Sequence, residues 1–393
     1  MVSSNSLHTT TIFFLLMNLL LASFSTCSSA TDTTATASTT TGAANRHRFS
    51  KIYAFGDSYT DTGNTHSTTG PYSYGYVSRP PYGTTYFHRS TNRYSDGRLV
   101  VDFLATALSL PFLPPYLDRS SSDLSHGVNF AVAGSTAIEH EFFARNNITM
   151  DITPQSLMTQ FMWFKKYLER KGCRGNGSPR CRAEMANALF WVGEIGANDY
   201  AYSFTSSLSP NLIRELAVKN VINFLQALLE NGAKHIVVQG LPLTGCLPLA
   251  MVLAPADDRD DIGCTASVNN QSYTHNLLLQ NKLQDLRRRY PDAIISYADY
   301  FSAHHAVMKS PSTHGFIEPF KACCGTGGGP FNFDLFATCG SPNVSKACSN
   351  PTKFVNWDGV HLTEAMYKVV SDMFFHRGYC RPSFDILLSN KSH

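Results

Sequence analysis

The sequence predicts an α/β protein built on a buried parallel sheet, and two patterns carry that prediction. The first is a set of apolar, β-rich runs without strict alternation, which is typical of parallel strands covered on both faces. They occupy residues 51–55, 188–193, 235–241 and 293–298. The second is helical periodicity between the later runs. Because strands that alternate with helices form right-handed βαβ crossovers, we expect helices to sandwich the sheet.

Three amphipathic helices are predicted around these strands. Between the second and third strands, apolar residues recur at helical spacing after Pro210, and Asn231 with the following glycine ends the helix. A second helix is predicted over residues 272–290, where a proline follows. The third begins after Thr363, a suitable N-cap, and stops at Gly378.

The start of the chain predicts a secretory leader. Residues 12–24 form an apolar run that is short for a membrane span, and small residues follow it up to Ala30. We therefore predict a signal peptide over residues 1–30, with a signal anchor as the alternative. Residues 31–46 are rich in Thr, Ala and Ser and are expected to form a disordered spacer. Residues 47–393 are expected to form one domain.

The cysteines predict disulfides, because a secreted chain oxidises them by default. Of the ten cysteines, Cys27 leaves with the signal peptide, so the odd remainder implies one unpaired residue. Two pairs would close short loops: Cys173 with Cys181, and Cys246 with Cys264. The neighbours Cys323 and Cys324 are not expected to pair with each other, because the geometry is strained. A metal site is the alternative, but the cysteine and histidine spacing does not support it.

Five Asn-x-Ser/Thr sequons support the same compartment. They are Asn147, Asn176, Asn270, Asn343 and Asn390. In a secreted chain several of them would carry glycans and therefore lie at the surface. We expect an extracellular protein, with the vacuole as an alternative destination.

Charge and motifs argue against several classes of protein. The net charge is +3 and the basic residues are scattered. The densest basic cluster, residues 287–289, ends a predicted helix, where it complements the helix dipole. Nucleic-acid binding is therefore not expected, and the chain contains no heptads, zinc-finger spacing or P-loop.

Three polar stretches follow predicted strands directly, which is where the sites of open α/β sheets lie. Ser58 follows the first strand in "GDS", where a turn into a helix would present its hydroxyl. A serine hydroxyl needs a base to become a nucleophile. His361 is the best candidate, since Asp358 lies three residues earlier and can orient the imidazole. Taken singly, each motif has a structural alternative. Ser58 could merely close a turn, and Asp358 and His361 could be a helix-capping pair.

An oxyanion intermediate would also need hydrogen-bond donors. The backbone N–H of Ser58 is one candidate. Gly134, in "GVNFAVAGST", could offer a second N–H, because glycine permits close backbone approach. The side chain of Asn198, in "GANDY", could provide a third.

Together these blocks resemble the GDSL esterase/lipases, the plant branch of the SGNH hydrolases. The similarity covers roughly residues 48–382 and rests on "FGDSYTDTGN", "GVNFAVAGST", "GANDY" and "DGVH", supported by the stretch over residues 80–105. It implies a three-layer α/β/α sandwich with a small, flavodoxin-like parallel sheet, and neither cofactor nor metal. It also implies that Ser58, Asp358 and His361 form the triad and that Ser58, Gly134 and Asn198 form the oxyanion hole.

Two positions depart from the family pattern. Val132-Ala133 stand where many relatives carry Ser-Gly, and Gln239 stands where relatives commonly carry proline. Neither is a catalytic position, so we expect these departures to alter the shape of the pocket and to leave the chemistry intact.

The resulting expectation is a secreted, monomeric serine esterase that acts on a small-molecule ester, without a stable membrane span. An acyltransferase that passes the acyl group to an alcohol is the first alternative, because only the exclusion of water differs. An inactive binding glycoprotein on the same scaffold is a weaker alternative, since fold does not fix function.

Overall fold

The computed structural model describes residues 49–69, 76–118, 123–150, 153–173 and 178–389. The signal peptide and spacer predicted over residues 1–46 lie outside the described residues, as do the sequons at Asn176 and Asn390. These expectations stay predictions.

The described residues form a six-stranded main sheet and a small two-stranded sheet. The strands are β1 (Ile52–Phe55), β2 (Gly127–Asn129), β3 (Leu189–Val192), β4 (His235–Gln239), β5 (Ile294–Ala298), β6 (Glu318–Ala322), β7 (Phe354–Asn356) and β8 (Cys380–Arg381). The main sheet has the order β2-β1-β3-β4-β5-β8, in which only the β5–β8 pair is antiparallel. The second sheet pairs β6 with β7 in parallel.

The four predicted strands are confirmed as the centre of the main sheet, because they correspond to β1, β3, β4 and β5. Four further strands did not show in the sequence. β2 and β8 are edge strands of three and two residues, which are too short for a periodic signal.

Helices cover both faces of the sheet. They are α1 (Asn64–Thr69), α2 (Val100–Ala107), α3 (His140–Arg145), α4 (Leu157–Arg170), α5 (Pro179–Ala186), α6 (Ala197–Ser203), α7 (Pro210–Glu230), α8 (Pro248–Leu253), α9 (Ala266–Arg289), α10 (Tyr300–Lys309), α11 (Glu364–His376) and α12 (Phe384–Leu388). Short 3₁₀ turns span Thr244–Cys246, Pro311–His314 and Pro351–Lys353.

Alternate side chains of each strand enter two separate apolar cores. Phe55 and Phe190 lie on one face, in the core that α4, α7 and α9 complete. Ala54 and Trp191 lie on the other, in the core completed by α2, α10 and α11. The fold class is therefore confirmed as a three-layer α/β/α arrangement around a mostly parallel sheet.

Two of the predicted helices have the expected ends, and the third begins earlier. α7 stops at Asn231, and the hydroxyl of Thr363 accepts the N–H of Met366 at the start of α11. α9 begins at Ala266, six residues before the predicted position, because its first turns bury polar groups and show no apolar stripe. Asn269, for example, accepts the N–H of Gly245 at 2.9 Å.

Four disulfides join the described cysteines. The two short-range predictions, Cys173–Cys181 and Cys246–Cys264, are confirmed. The adjacent cysteines bond to separate partners, in Cys323–Cys348 and Cys324–Cys339. The remaining residue, Cys380, is buried and unpaired, which accounts for the odd number.

Candidate active site

The predicted site residues converge at one edge of the main sheet. β1, β2 and β3 are neighbours, so their carboxyl ends open at the same edge. Ser58 follows β1, Gly134 lies beyond β2, and Asn198 lies in α6 after β3. His361 reaches this edge from the segment between β7 and α11, since its ring centroid lies 5.7 Å from that of Tyr59.

Ser58 lies in a turn that is fixed by the residue before it. The carbonyl of Asp57 accepts the N–H groups of Thr60 and Asp61 at 3.0 and 2.9 Å. The Asp57 carboxylate accepts the N–H of Tyr59 at 3.0 Å. Ser58 is only 5% exposed, so its side chain is largely buried.

The expectation that a helix follows Ser58 directly was wrong. The turn continues to residue 60, and α1 begins only at Asn64. The reason is the buried Asp61, whose carboxylate accepts the N–H groups of Gly63, Asn64 and Thr65 and so fixes the start of the helix. Any stabilisation of charge at Ser58 must therefore come from individual N–H groups of the turn and not from a helix N-terminus.

Asp358 and His361 are in direct contact, as their spacing predicts. His361 Nδ1 lies 2.7 Å from Asp358 Oδ2, and the backbone N–H of His361 donates to Oδ1 at 2.8 Å. Burial alone would raise the pKa of the Asp358 carboxyl, but the imidazole and these hydrogen bonds lower it to about 2. The aspartate is therefore a carboxylate that accepts from Nδ1–H and leaves Nε2 as the basic nitrogen.

The turn between these two residues requires a glycine. Gly359 has φ +98°, in the region that L side chains rarely adopt. A Cβ at this position would lie 2.1 Å from the ring of Phe333. Both facts restrict the position to glycine, and the tight turn brings the Asp358 carboxylate against the imidazole.

Aromatic rings enclose the imidazole. The ring of Tyr94 lies 4.7 Å from that of His361 at an angle of 40°. Tyr59 lies on another side, and its hydroxyl donates to the Val360 carbonyl at 2.8 Å. A further tyrosine, Tyr82, donates its hydroxyl to Asp358 Oδ2 at 2.7 Å. Tyr82 could not be predicted as part of the site, because no local spacing links it to a residue 276 positions away.

Asn198 connects the segments that carry the other two candidate donors. Its Nδ2 donates to Asp57 Oδ2 at 2.9 Å and to the Ser135 carbonyl at 3.0 Å. Asp57 and Ser135 are the neighbours of Ser58 and Gly134. Gly134 adopts φ +78°, a backbone conformation that glycine permits.

Two backbone donors at the site make no hydrogen bond to the described residues. Among the described residues, no acceptor takes the N–H of Ser58 or of Gly134. His361 Nε2 is likewise buried without a hydrogen-bond partner in this part of the chain. The structure thus brings Ser58 and His361 to the same edge of the sheet. It does not show a direct hydrogen bond between their side chains.

A buried carboxyl pair lies beneath the Ser58 turn and was missed by sequence reasoning. Asp57 and Glu194 are each 1% exposed, and their carboxyl groups interact electrostatically. Burial raises the pKa of Asp57 to about 6, although the side-chain interaction with Glu194 lowers it. Burial and the charge of Asp57 raise the pKa of Glu194 well above its usual value. The raised pKa of Glu194 favours its protonated, uncharged form beside Asp57.

Gln239, one of the two departures from the family pattern, supports this pair. Its side-chain oxygen accepts the backbone N–H of Glu194 at 3.1 Å. Gln239 ends β4, beside the end of β3, so it fixes the segment that leads from Glu194 to Asn198. Proline could not make this contact.

Three of the sequons are described, and all three are at the surface. Asn147, Asn270 and Asn343 are exposed, as glycan attachment requires. Their glycosylation stays a prediction. No helix within the described residues is both long and apolar enough to cross a bilayer.

Comparison with known proteins agrees with this geometry. The family model of the GDSL-like lipase/acylhydrolases matches residues 52–374. A GDSL esterase/lipase of Arabidopsis thaliana is 54% identical over 354 residues, which cover 88% of this chain and 91% of the relative. A second one from the same plant is 38% identical, with 86% of each chain covered. Acetylajmalan esterase 2 of Rauvolfia serpentina is 39% identical, over 81% of this chain and 88% of that protein.

A mostly parallel α/β sheet with a serine, a histidine and an aspartate gathered at its carboxyl edge is typical of ester-cleaving enzymes. The chain belongs to the GDSL-like lipase/acylhydrolase family. Within that family its relatives are plant GDSL esterase/lipases, and the protein is a carboxylic ester hydrolase.

Proposed function

We propose that the protein is a secreted serine esterase that cleaves its substrate through an acyl-enzyme on Ser58. The observation that carries the proposal is the buried contact of 2.7 Å between His361 Nδ1 and Asp358 Oδ2. It leaves Nε2 as the base, on a ring that lies beside the residue following Ser58.

The chemistry proceeds in two halves. His361 Nε2 takes the hydroxyl proton of Ser58 as Oγ attacks the ester carbonyl, and the carbonyl π electrons move onto oxygen. When the tetrahedral intermediate collapses, the alcohol leaves with the proton from His361. Water then loses a proton to Nε2 and attacks the acyl-enzyme, and the free acid departs as the proton returns to Ser58. Asp358 stays ionised throughout and stabilises the imidazolium.

The negative oxygen of each intermediate would be stabilised by the N–H groups of Ser58 and Gly134, which have no acceptor among the described residues. Asn198 could add a third bond by exchanging one of its contacts, to Asp57 or to the Ser135 carbonyl, for the oxyanion. The proposed mechanism requires the Ser58 hydroxyl to come within hydrogen-bond distance of His361 Nε2. Catalytic hydrogen bonds commonly tighten in this way only when substrate is bound.

Secretion is supported by the redox state and the surface of the protein. Four disulfides fit an oxidising compartment, and three exposed sequons fit passage through the secretory pathway. The burial of Ser58 and His361, which are 5% and 4% exposed, favours a short acyl group. An acetyl ester of a specialised metabolite is a suitable first substrate, since one relative is named as an acetylajmalan esterase.

The test uses the mature, glycosylated protein with p-nitrophenyl acetate and p-nitrophenyl butyrate. We expect hydrolysis of both, with the acetate cleaved faster, and we expect Ser58→Ala to abolish turnover without unfolding the protein. Ser302→Ala is the matched control, because Ser302 is an exposed serine on α10. Undiminished turnover by Ser58→Ala would remove Ser58 from the mechanism.

The same reaction separates hydrolysis from acyl transfer. Products are analysed with and without added alcohols, since both activities share the acyl-enzyme and differ only in the acceptor. Free acid as the main product supports the esterase. A new ester formed at the expense of the acid would identify an acyltransferase, and a folded protein inert to both would favour a binding glycoprotein.

A further inference from the structure

Tyr82 reaches the Asp358–His361 pair from a distant part of the chain. Its hydroxyl donates to Asp358 Oδ2 at 2.7 Å, and its side chain is 2% exposed. Burial raises the pKa of the Tyr82 phenol, and Asp358 raises it further, so the hydroxyl remains a donor at any ordinary pH.

This bond completes the hydrogen bonding of the carboxylate. Oδ1 accepts the backbone N–H groups of Val360 and His361, at 3.0 and 2.8 Å. Oδ2 accepts from Tyr82 and from His361 Nδ1, each at 2.7 Å. Of these four donors, three come from the short turn that carries both catalytic candidates. Among the described residues, only the Tyr82 hydroxyl acts on the carboxylate from another segment.

Packing fixes the direction of the hydroxyl. The Tyr82 ring meets Trp357 edge-on, with centroids 6.0 Å apart, and meets Tyr94 in the same manner at 6.3 Å. Tyr94 in turn lies over His361. The backbone N–H of Gly83 donates to the Ser95 carbonyl at 3.0 Å, which holds the segment in place. A ring held on two sides can aim its hydroxyl at Oδ2 with little loss of entropy.

We propose that Tyr82 is a positioning residue of the triad, which holds Asp358 in register with His361 and moderates the negative charge that the imidazole meets. The inference rests on the proposed function of that pair. A neutral donor on Oδ2 withdraws charge from the oxygen that also faces Nδ1. The attraction between the carboxylate and a protonated imidazole is therefore weaker with Tyr82 present than without it.

The decisive variant is Tyr82→Phe, which keeps the ring and removes only the hydroxyl. We expect kcat to fall roughly three- to tenfold with little change in KM, the effect of about one hydrogen bond. We also expect the midpoint of the acid limb of kcat/KM to move up by roughly half a pH unit. The matched control is Tyr167→Phe, since Tyr167 is equally buried but donates to the Leu124 carbonyl, on the opposite face of the sheet from α11.

Other ionisable groups facing the pair are unchanged in this variant. They are Asp57 and Tyr59 from the Ser58 turn, Tyr94 from the segment before α2, and Tyr367 from α11. A shift seen in Tyr82→Phe and absent from Tyr167→Phe therefore reports the lost hydroxyl. NMR titration of the His361 ring protons gives the same midpoint without turnover, so it tests Tyr82 even if the esterase proposal fails.

The outcomes are distinguishable. Hydrolysis that depends on Ser58, together with an unchanged acid limb and an unchanged His361 titration in Tyr82→Phe, overturns the role of Tyr82 alone. Upward shifts in both support it. If Tyr82→Phe does not fold, 3-fluorotyrosine incorporated at position 82 replaces it. This more acidic phenol donates more strongly, so both midpoints must then move down, and unmoved midpoints overturn the inference.

Discussion

At the scale of single residues, the site depends on buried carboxyl groups with defined hydrogen-bond partners. Asp358 stays ionised because four donors surround it, whereas burial raises the pKa of both Asp57 and Glu194. The carboxyl groups of Asp57 and Glu194, at the Ser58 turn, thus have different roles. Asp57 accepts from Tyr59 and Asn198, whereas the raised pKa of Glu194 favours its protonated form.

Replacing Glu194 with glutamine should stabilise the protein in a pH-dependent manner. The pKa of Glu194 is raised in the fold, so the unfolded chain releases this proton at lower pH than the native protein does. Such a group costs stability progressively as pH rises above its unfolded value. Glu194→Gln keeps a donor for Asp57 and removes that cost. We expect a melting temperature a few degrees above wild type at pH 8, shrinking toward pH 5.

Differential scanning calorimetry across that pH range measures the effect. Glu141→Gln is the control, because Glu141 is exposed on α3 and should leave the melting temperature unchanged. A glutamine variant at position 194 that is less stable than wild type at pH 8 would show that the carboxyl is ionised in the fold.

At the scale of secondary-structure elements, the sequence predicted features that lie within one element and missed contacts between distant segments. The central strands and α7 were visible because their apolar residues repeat within one element. The Asp358–His361 contact could also be predicted, because one short turn holds both residues. By contrast, Tyr82 and Glu194 reach the site only because the sheet brings distant segments together, and a single sequence carries no spacing that reports such contacts.

The turn between β7 and α11 provides a prediction at this scale. Gly359→Ala combines an unfavourable φ with a clash against Phe333, whereas Gly378→Ala combines a similar φ of +76° with open space. We expect Gly378→Ala to cost about 1 kcal/mol of unfolding free energy and to leave activity intact. Gly359→Ala should cost clearly more and lower kcat, because the turn must shift and Asp358 moves with it. Equal effects of the two changes, measured by urea unfolding and initial rates, would contradict this account.

At the scale of the whole molecule, the sheet places loops from both ends of the chain at one edge. The segment after β1 carries Ser58 and the segment after β7 carries His361, and the order of β2, β1 and β3 sets the oxyanion candidates around them. Two disulfides hold the region between β6 and β7, Cys323–Cys348 and Cys324–Cys339, and this region packs Phe333 onto Gly359. The covalent framework therefore supports the His361 turn from outside the core.

The central claim, that Ser58 is the nucleophile and His361 its base, is tested most directly by covalent labelling. The mature protein is treated with a fluorophosphonate probe, digested, and mapped by mass spectrometry while ester hydrolysis is followed in parallel. We predict one labelled peptide, modified at Ser58, with hydrolysis lost in proportion to labelling and with labelling greatly slowed in His361→Ala. Hydrolysis that continues while Ser58 is fully labelled, or a label found on another residue as activity disappears, would contradict it.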